Sequence, residues 1–494
     1  MIQFFSERRF QVVFILFTSV LLLLGRQLDV GLTNFDDAFY AQKAKEIFDS
    51  ENIWVVTYFG GPSFENPPLI FWLMGLAYKI FGVSTYAAVF FPAVLGVVTI
   101  YLTYRMALYL YQDTWVAFFA AFILLFPGMF LDGARRAMLD VPLACFVTAA
   151  LFALHKALKD PRYYWLYGAM TACGILTKSF LGFWPLVIGA VYLFWRDRLG
   201  AFRVPQYWGG VALALVLGCF WYLVNWIKFG DVFVQSHFGR QHMTLIRSDY
   251  FDISQLKIFL GYGRDFLKTY WPWLPFTLGA LWVFARKAFI RKEDGAALLW
   301  IWAVLVFVVM STSKNQTQRY IFMIFPALAI MTAKTLSDWL TESTKEKLLP
   351  VVVGTCMLSM IVVNATPIKV KVTLAPRSVD ARHLAPIINL NVPPGQSVRS
   401  YRLTRWNPKH VIYFFSDRNE EFPIQEPEEL FKAIEEDPRS TWLTATFQFD
   451  RLQNDYPGRF YVIQANKTYT YFTAMENRDH VTYDYRNVDL PVVK

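Results

Sequence analysis

Pro67-Pro68-Leu69-Ile70-Phe71-Trp72-Leu73-Met74-Gly75-Leu76-Ala77-Tyr78-Lys79-Ile80-Phe81 is the stretch on which the reading of this chain turns. It is apolar, yet Pro68 to Phe81 is shorter than the about 20 residues that cross a bilayer. It also opens on two prolines and carries Lys79. Either it is a short span or it lies in the membrane interface, and the two readings give every later loop opposite sides.

The surrounding chain sets the solvent. Of 494 residues, 55% are hydrophobic, 18% aromatic and only 17% charged, too apolar for a soluble protein of this length. Apolar segments at roughly 10–27, 86–111, 115–131, 136–157, 162–177, 180–195, 206–227, 272–286, 296–311, 318–337 and 348–365 read as eleven spans. Arg8-Arg9 followed by Phe10 to Leu24 has the look of a signal peptide, but no small-x-small site follows, so an uncleaved first span is expected.

Lysine and arginine concentrate on the cytoplasmic side of membrane proteins. With Pro68 to Phe81 not crossing, the inside segments hold 16 Lys/Arg in 58 residues against 14 in 101 outside. A full crossing there would put Arg286-Lys287 and Arg291-Lys292 outside, so the sequence favours an interfacial or re-entrant helix. That choice brings Asp36-Asp37, Glu65, Arg135-Arg136, Asp140, Lys178, His237, Arg240, Lys314 and Arg319-Tyr320 to one outer face.

Lys228 to Tyr270 is too polar to span and too aromatic for a plain linker, as for short helices on the membrane surface. After residue 366 the apolar runs shorten: Ser397 to Leu403 and His410 to Phe415 read as strands, and Glu426 to Glu436 as an amphipathic helix with Pro427 near its start. The expected fold is an α-helical polytopic membrane protein of about 11 transmembrane helices (range about 11–13) with interfacial juxtamembrane helices, followed by a small soluble α/β domain. Residues 1–366 form the membrane part, with outer-face loops 28–85 and 228–271, and residues 367–494 the outer domain.

The formal charge of +10 falls in short clusters between apolar runs, not in a stripe with interleaved aromatics, which argues for anionic lipid as partner and against nucleic acid. Cys145, Cys173, Cys219 and Cys356 lie inside apolar segments without zinc or disulfide spacing and read as core residues.

Five motifs occur in one order: Asp36-Asp37-Ala38-Phe39-Tyr40; Phe64-Glu65-Asn66-Pro67-Pro68-Leu69 with Phe71-Trp72; Arg136-Ala137-Met138-Leu139-Asp140-Val141-Pro142; Thr177-Lys178; and Arg319-Tyr320 with Phe325-Pro326. Each is weak alone. Together, over about residues 10 to 340, they resemble the bacterial glycosyltransferase C superfamily members related to protein O-mannosyltransferases, most closely the lipid A aminoarabinose transferase group. The resemblance implies an inverting transfer of a sugar from a polyprenyl (undecaprenyl) phosphate carrier to lipid A, another glycan or a protein, at the periplasmic face of the bacterial inner membrane.

It also implies roles for residues. Asp36 is the best catalytic candidate, as general base or as a stabiliser of charge at the anomeric carbon, against a plain helix N-cap. Asp37 reads more as a cap, and Tyr40, one turn on, as a substrate contact or an interfacial anchor. Glu65 is expected to meet Asp36 across a cavity, where two carboxylates beside an anionic lipid need a shared proton, basic neighbours or a divalent metal cation. The family commonly has lysine after this glutamate; here Asn66 removes a cation and leaves the substrate open.

Lys178, set between two apolar segments, requires an anionic partner or the interface. By resemblance Lys178, Arg240 and Tyr320 hold the carrier phosphate. Arg319 and Lys314 read equally as headgroup contacts, and Arg135, Arg136 and Asp140 as an ion-paired support. His237 lacks the partners of a hydrolase triad and reads as an interfacial histidine. The rival of another class is a lipid-linked sugar transporter or flippase, which would bury charges at the midplane on matching repeats; none are visible.

Overall fold

The computed structural model describes residues 7–25, 32, 36–48, 52–126, 128–197, 200–242, 270–311, 318–365, 383–403, 409–421 and 423–482. In chain order the helices used below are α1 (Arg8–Leu24), α2 (Asp36–Glu46), α3 (Leu69–Phe81), α4 (Thr85–Tyr111), α5 (Thr114–Leu125), α6 (Gly128–Ala134), α7 (Asp140–Ala157), α8 (Tyr163–Lys178), α9 (Trp184–Asp197), α10 (Pro205–Phe229), α11 (Leu274–Phe289), α12 (Asp294–Ser311), α13 (Phe325–Trp339), α14 (Glu342–Ala365), α15 (Ala385–Asn391), α16 (Lys409–Ser416), α17 (Pro427–Glu436) and α18 (Thr446–Asp455). The chain divides into two compact units: residues 1–28, 47–57 and 62–374, and residues 29–46, 58–61 and 375–494.

In the first unit a helix occupies each segment read as a span. Six stretches are long and apolar enough to cross a membrane: Thr85–Tyr111, Asp140–Ala157, Tyr163–Asp197, Pro205–Phe229, Asp294–Ser311 and Arg319–Trp339. This is a mostly helical, multi-pass membrane protein. The disputed stretch is α3, whose 13 residues reach about 20 Å, short of a bilayer's hydrocarbon thickness. Ile70, Phe71, Met74 and Ala77 give it one buried face, while Leu76, Ile80 and Phe81 are exposed.

Local chemistry sets the turns. Gln112 takes a left-handed φ of 52° to end α4, and Asp113 then caps α5 by accepting from the N–H groups of Trp115 (2.8 Å) and Val116 (3.2 Å). Glycines let backbones touch where α8 meets α10: a Cβ on Gly168 would lie 2.1 Å from the Gly210 carbonyl oxygen, and one on Gly210 2.2 Å from that of Tyr164.

The stretch Tyr163–Asp197 is not one straight helix. After Lys178 the chain passes through a 3-10 turn, Ser179–Phe183, in which Gly182 presses on the backbone of α8; a Cβ there would stand 2.2 Å from the Ile175 nitrogen. The helix therefore folds back on itself, and Lys178 stands at the apex.

In the second unit the strands Arg399–Ser400, Thr441–Ala445, Phe460–Ala465 and Tyr469–Ala474 (β1 to β4) form a sheet of order β1-β2-β4-β3, parallel between β1 and β2 and antiparallel elsewhere. Tyr401, Leu430, Trp442, Phe449, Leu452, Phe460 and Phe472 form its core, with α17 and α18 supplying Leu430, Phe449 and Leu452. The β3–β4 turn is closed by the Asn466 side-chain oxygen, which accepts from the N–H groups of Thr468 (2.9 Å) and Tyr469 (2.8 Å).

One strand reading is corrected: His410 to Phe415 lies in helix α16. Val411, Ile412, Tyr413 and Phe414 are all buried, so successive residues, not alternate ones, face protein. A short apolar run covered on every side carries no period to separate strand from helix.

Helix α2 belongs to this unit and packs on α16. Lys45 pairs with Asp417 at 2.7 Å and donates to the Phe414 carbonyl at 3.4 Å, and the Tyr58 hydroxyl meets His410 Nδ1 at 2.6 Å.

The reversal after Lys178 yields a test. Gly182→Ala should destabilise the detergent-solubilised protein by about 1–3 kcal/mol, the usual range for overpacking, whereas Gly354→Ala, at a helix position with open space, should not. Equal melting temperatures for the two variants would show that the turn tolerates a Cβ.

Candidate active site

Lys178 is the last residue of α8 and Asp140 the first of α7, so each charge sits at the helix end that favours it. Their side chains meet at 2.5 Å, with only 14% and 2% exposure. The sequence presents Lys178 as uncompensated; Asp140, 38 residues earlier, compensates it. The Tyr320 ring lies over the same ammonium, 5.0 Å from Nζ to centroid. The second Asp140 oxygen, Oδ2, is buried without a hydrogen bond among the described residues.

The expected ion-paired cluster of Arg135, Arg136 and Asp140 is corrected. Arg136 pairs with Asp132 at 2.5 Å, both largely buried, while Asp140 goes to Lys178. Arg135 is held by its backbone N–H, which donates to the Asp132 carbonyl at 3.1 Å. Burial lowers the pKa of its guanidinium and the Asp132 charge opposes that shift. Arg319 reaches the Met138 sulfur at 3.6 Å, and Gly133 lies against the Phe322 ring. Segments 132–140, 178–179 and 319–322 thus converge within one unit.

His237 is not an interfacial residue. It is fully buried, with Nδ1 2.5 Å from the Phe64 carbonyl oxygen and Nε2 3.0 Å from Ser179 Oγ, which also meets the Tyr222 hydroxyl at 2.6 Å. These bonds bring the loop of Glu65 and Asn66, both half-buried, towards the Lys178 turn. The aromatic neighbourhood of His237 is as readable as a membrane interface as it is as a core, which is why the sequence misplaces it.

Asp36, Asp37 and Tyr40 lie on α2, in the other unit. Asp36 is half-buried; Asp37 is 1% exposed, its Oδ1 3.1 Å from the Ala38 nitrogen. Tyr40 is buried. Lys43, which the sequence reading passes over, is fully buried with its ammonium 3.8 Å from the Phe39 ring centroid and 5.8 Å from that of Tyr40. Its spacing of three from Tyr40 was the available signal. The Arg240 side chain, Lys314 and residues 243–269 of the outer loop lie outside the described residues.

Removing one partner of the buried pair strands the other. Lys178→Met should cost about 3–5 kcal/mol of stability, while Lys178→Met with Asp140→Leu should recover most of it, read as melting temperature in detergent. A single variant as stable as the double would mean that the pair is solvated.

A family model for dolichyl-phosphate-mannose-protein mannosyltransferase matches residues 65–222, the stretch holding Glu65, Asp140, Lys178 and Tyr222. An uncharacterised protein of Aquifex aeolicus is 27% identical over 318 residues, 63% of this chain and 60% of its own length. The undecaprenyl phosphate-α-4-amino-4-deoxy-L-arabinose arabinosyl transferase 1 of Proteus mirabilis is 26% identical over 334 residues, 63% of this chain and 57% of its own. The chain thus spans less than two thirds of the length of these relatives. Among solved structures, ArnT from Cupriavidus metallidurans bound to undecaprenyl phosphate superposes with a TM-score of 0.72 at 18% identity, over 93% of this chain and 97% of that one. The apo Archaeoglobus fulgidus oligosaccharyltransferase gives 0.59 at 14%, over 89% and 70%. The chain has the ArnT-like fold and resembles glycosyltransferases of the aminoarabinose transferase type.

Proposed function

We propose that this chain is an inverting glycosyltransferase that moves a sugar from a polyprenyl (undecaprenyl) phosphate carrier to lipid A or another envelope glycan at the periplasmic face of the inner membrane. The observation that carries the proposal is the buried Lys178 ammonium, gripped by Asp140 and covered by Tyr320, in a chain with the fold of an undecaprenyl-phosphate-bound transferase.

In this reading the acceptor oxygen attacks the anomeric carbon as the bond to the carrier phosphate breaks, and the bonding electrons leave on the phosphate oxygen. Fixed cations in a poorly hydrated site offset that charge. Lys178, Arg240 and Tyr320 take this task. Asp140 occupies one of the three ammonium N–H groups of Lys178 and aims the others. Arg135 and Arg136, held by Asp132, support the same segment.

Asp36 and Glu65 are assigned as the catalytic carboxylates, Asp36 as base for a hydroxyl acceptor, with Asn66, Asp37 and Tyr40 in substrate contact; a phosphate acceptor is already ionised and needs little help. Asn66 leaves one cation fewer than the resembled family commonly has at that position, which leaves the exact sugar and acceptor open. A divalent cation at Asp36 or Glu65 enters only as charge compensation. Among the described residues no three His, Cys, Asp or Glu side chains gather as a metal site.

A protein acceptor is the second reading, favoured by the mannosyltransferase family match. A flippase would form no new glycosidic bond, which separates it from both.

The test is transfer from a radiolabelled undecaprenyl-phosphate sugar by the purified full chain, with products identified by mass spectrometry. Asp36→Asn should abolish transfer to a hydroxyl and leave measurable transfer to a phosphate; full activity with both acceptors would remove Asp36 from the chemistry.

We further propose eleven crossings, a cytoplasmic N-terminus and a periplasmic C-terminal α/β unit. In a cysteine-free background, Gln396→Cys should react with a membrane-impermeant maleimide in cells with permeabilised outer membranes, and Lys292→Cys should react only after lysis. Both positions are exposed. The reverse pattern would invert the orientation.

A further inference from the structure

Two residues assigned to the site above have neighbours bound by a single imidazole. Phe64 precedes Glu65 and Ser179 follows Lys178, and His237 bonds the Phe64 carbonyl at 2.5 Å and the Ser179 hydroxyl at 3.0 Å. A carbonyl oxygen only accepts, so Nδ1 carries the hydrogen there. In the neutral ring Nε2 then accepts from Ser179 Oγ–H, and Ser179 accepts in turn from the Tyr222 hydroxyl at 2.6 Å. The direction of the whole chain of bonds follows from one backbone carbonyl.

The ring has little freedom to leave. It stacks on Phe233 at 5.4 Å and 9°, with Trp221 edge-on at 5.2 Å and Tyr222 at 5.3 Å. Ser179 is held in a backbone conformation that L-residues rarely adopt, φ 43° and ψ −122°, directly after Lys178. Its two side-chain bonds hold that conformation and hence the exit angle of the lysine. Asn225 braces the other side, donating to the carbonyl oxygens of Trp54 at 3.2 Å and Trp221 at 2.9 Å.

We infer that His237 is a positioning residue for the transfer reaction: it clamps the neighbours of Glu65 and Lys178 and so fixes the spacing of a site carboxylate and a site cation. This rests on the reading of the chain as a lipid-phosphate-dependent transferase. Each arm of the imidazole has its own mimic. Asn places an amide N–H near Nδ1 and keeps the Phe64 arm; Gln places its amide oxygen near Nε2, accepts from Ser179 Oγ–H and keeps the Ser179 arm; Phe keeps the stacking and neither arm.

The experiment uses the full chain in nanodiscs and measures undecaprenyl phosphate affinity, melting temperature, and kcat and KM with undecaprenyl-phosphate 4-amino-4-deoxy-L-arabinose. His237→Phe should fold and weaken undecaprenyl phosphate binding by about 10- to 100-fold, the scale for losing an orienting partner. His237→Gln should retain binding and lose kcat, and His237→Asn should lose binding. Ser179→Gly, which relieves the backbone but removes the hydroxyl, should match His237→Phe, and the two together should be no worse than either.

Wild-type affinity in folded His237→Phe overturns the inference, as does equal affinity in the Asn and Gln variants should the Phe variant not fold. A wild type that neither binds undecaprenyl phosphate nor transfers sugar overturns the functional reading itself, and the inference with it.

Discussion

A protonated amine cannot remain among apolar helices without a counter-charge, and that constraint organises the centre of this protein. Lys178 meets it with Asp140, each at the helix end whose dipole suits it. The geometry needs the chain to reverse at once after the lysine, which needs Gly182 against the backbone of Ile175 and an unusual φ at Ser179. It also needs α8 seated closely on α10, which Gly168 and Gly210 permit. Glycines, strained serine and buried pair are one arrangement seen from three sides.

That arrangement gives meaning to a fold shared at 18% identity. Helix packing through glycine contacts depends on few side chains and tolerates wide replacement elsewhere. A position such as Asn66 can therefore vary without disturbing the scaffold, and chemistry can diverge on a constant frame.

Much of the scaffold is legible in the chain because spans are long and apolar, and hydrophobic length is a local property. The expense of Lys178 is local too, so the sequence flags it; the identity of its partner is not, because nothing short of folding distinguishes Asp140 from Asp132 as the carboxylate that arrives. The Asp132–Arg136 pair, at i and i+4, was within reach of pattern reading. His237 was not, since aromatic neighbours describe an interface and a core equally well. The run His410 to Phe415 failed for the opposite reason: buried on all sides, it shows no period. The placement of α2 among residues 375–494 depends on contacts across most of the chain, which composition does not report.

The pairing of Lys45 with Asp417 spans 372 residues. Ribosomes add about 5–20 residues per second, so α2 emerges roughly 20 to 70 s before the helix that completes its packing exists. During that interval the membrane-spanning helices are made while the contacts of Lys45 and Phe39 on α2 with residues 410–417 remain unmade. The second unit is therefore assembled from residues 29–46 and 58–61 together with residues 375–494, and a fragment beginning after residue 366 would lack the helix that packs on α16. The second unit closes only when segments made at widely separate times meet.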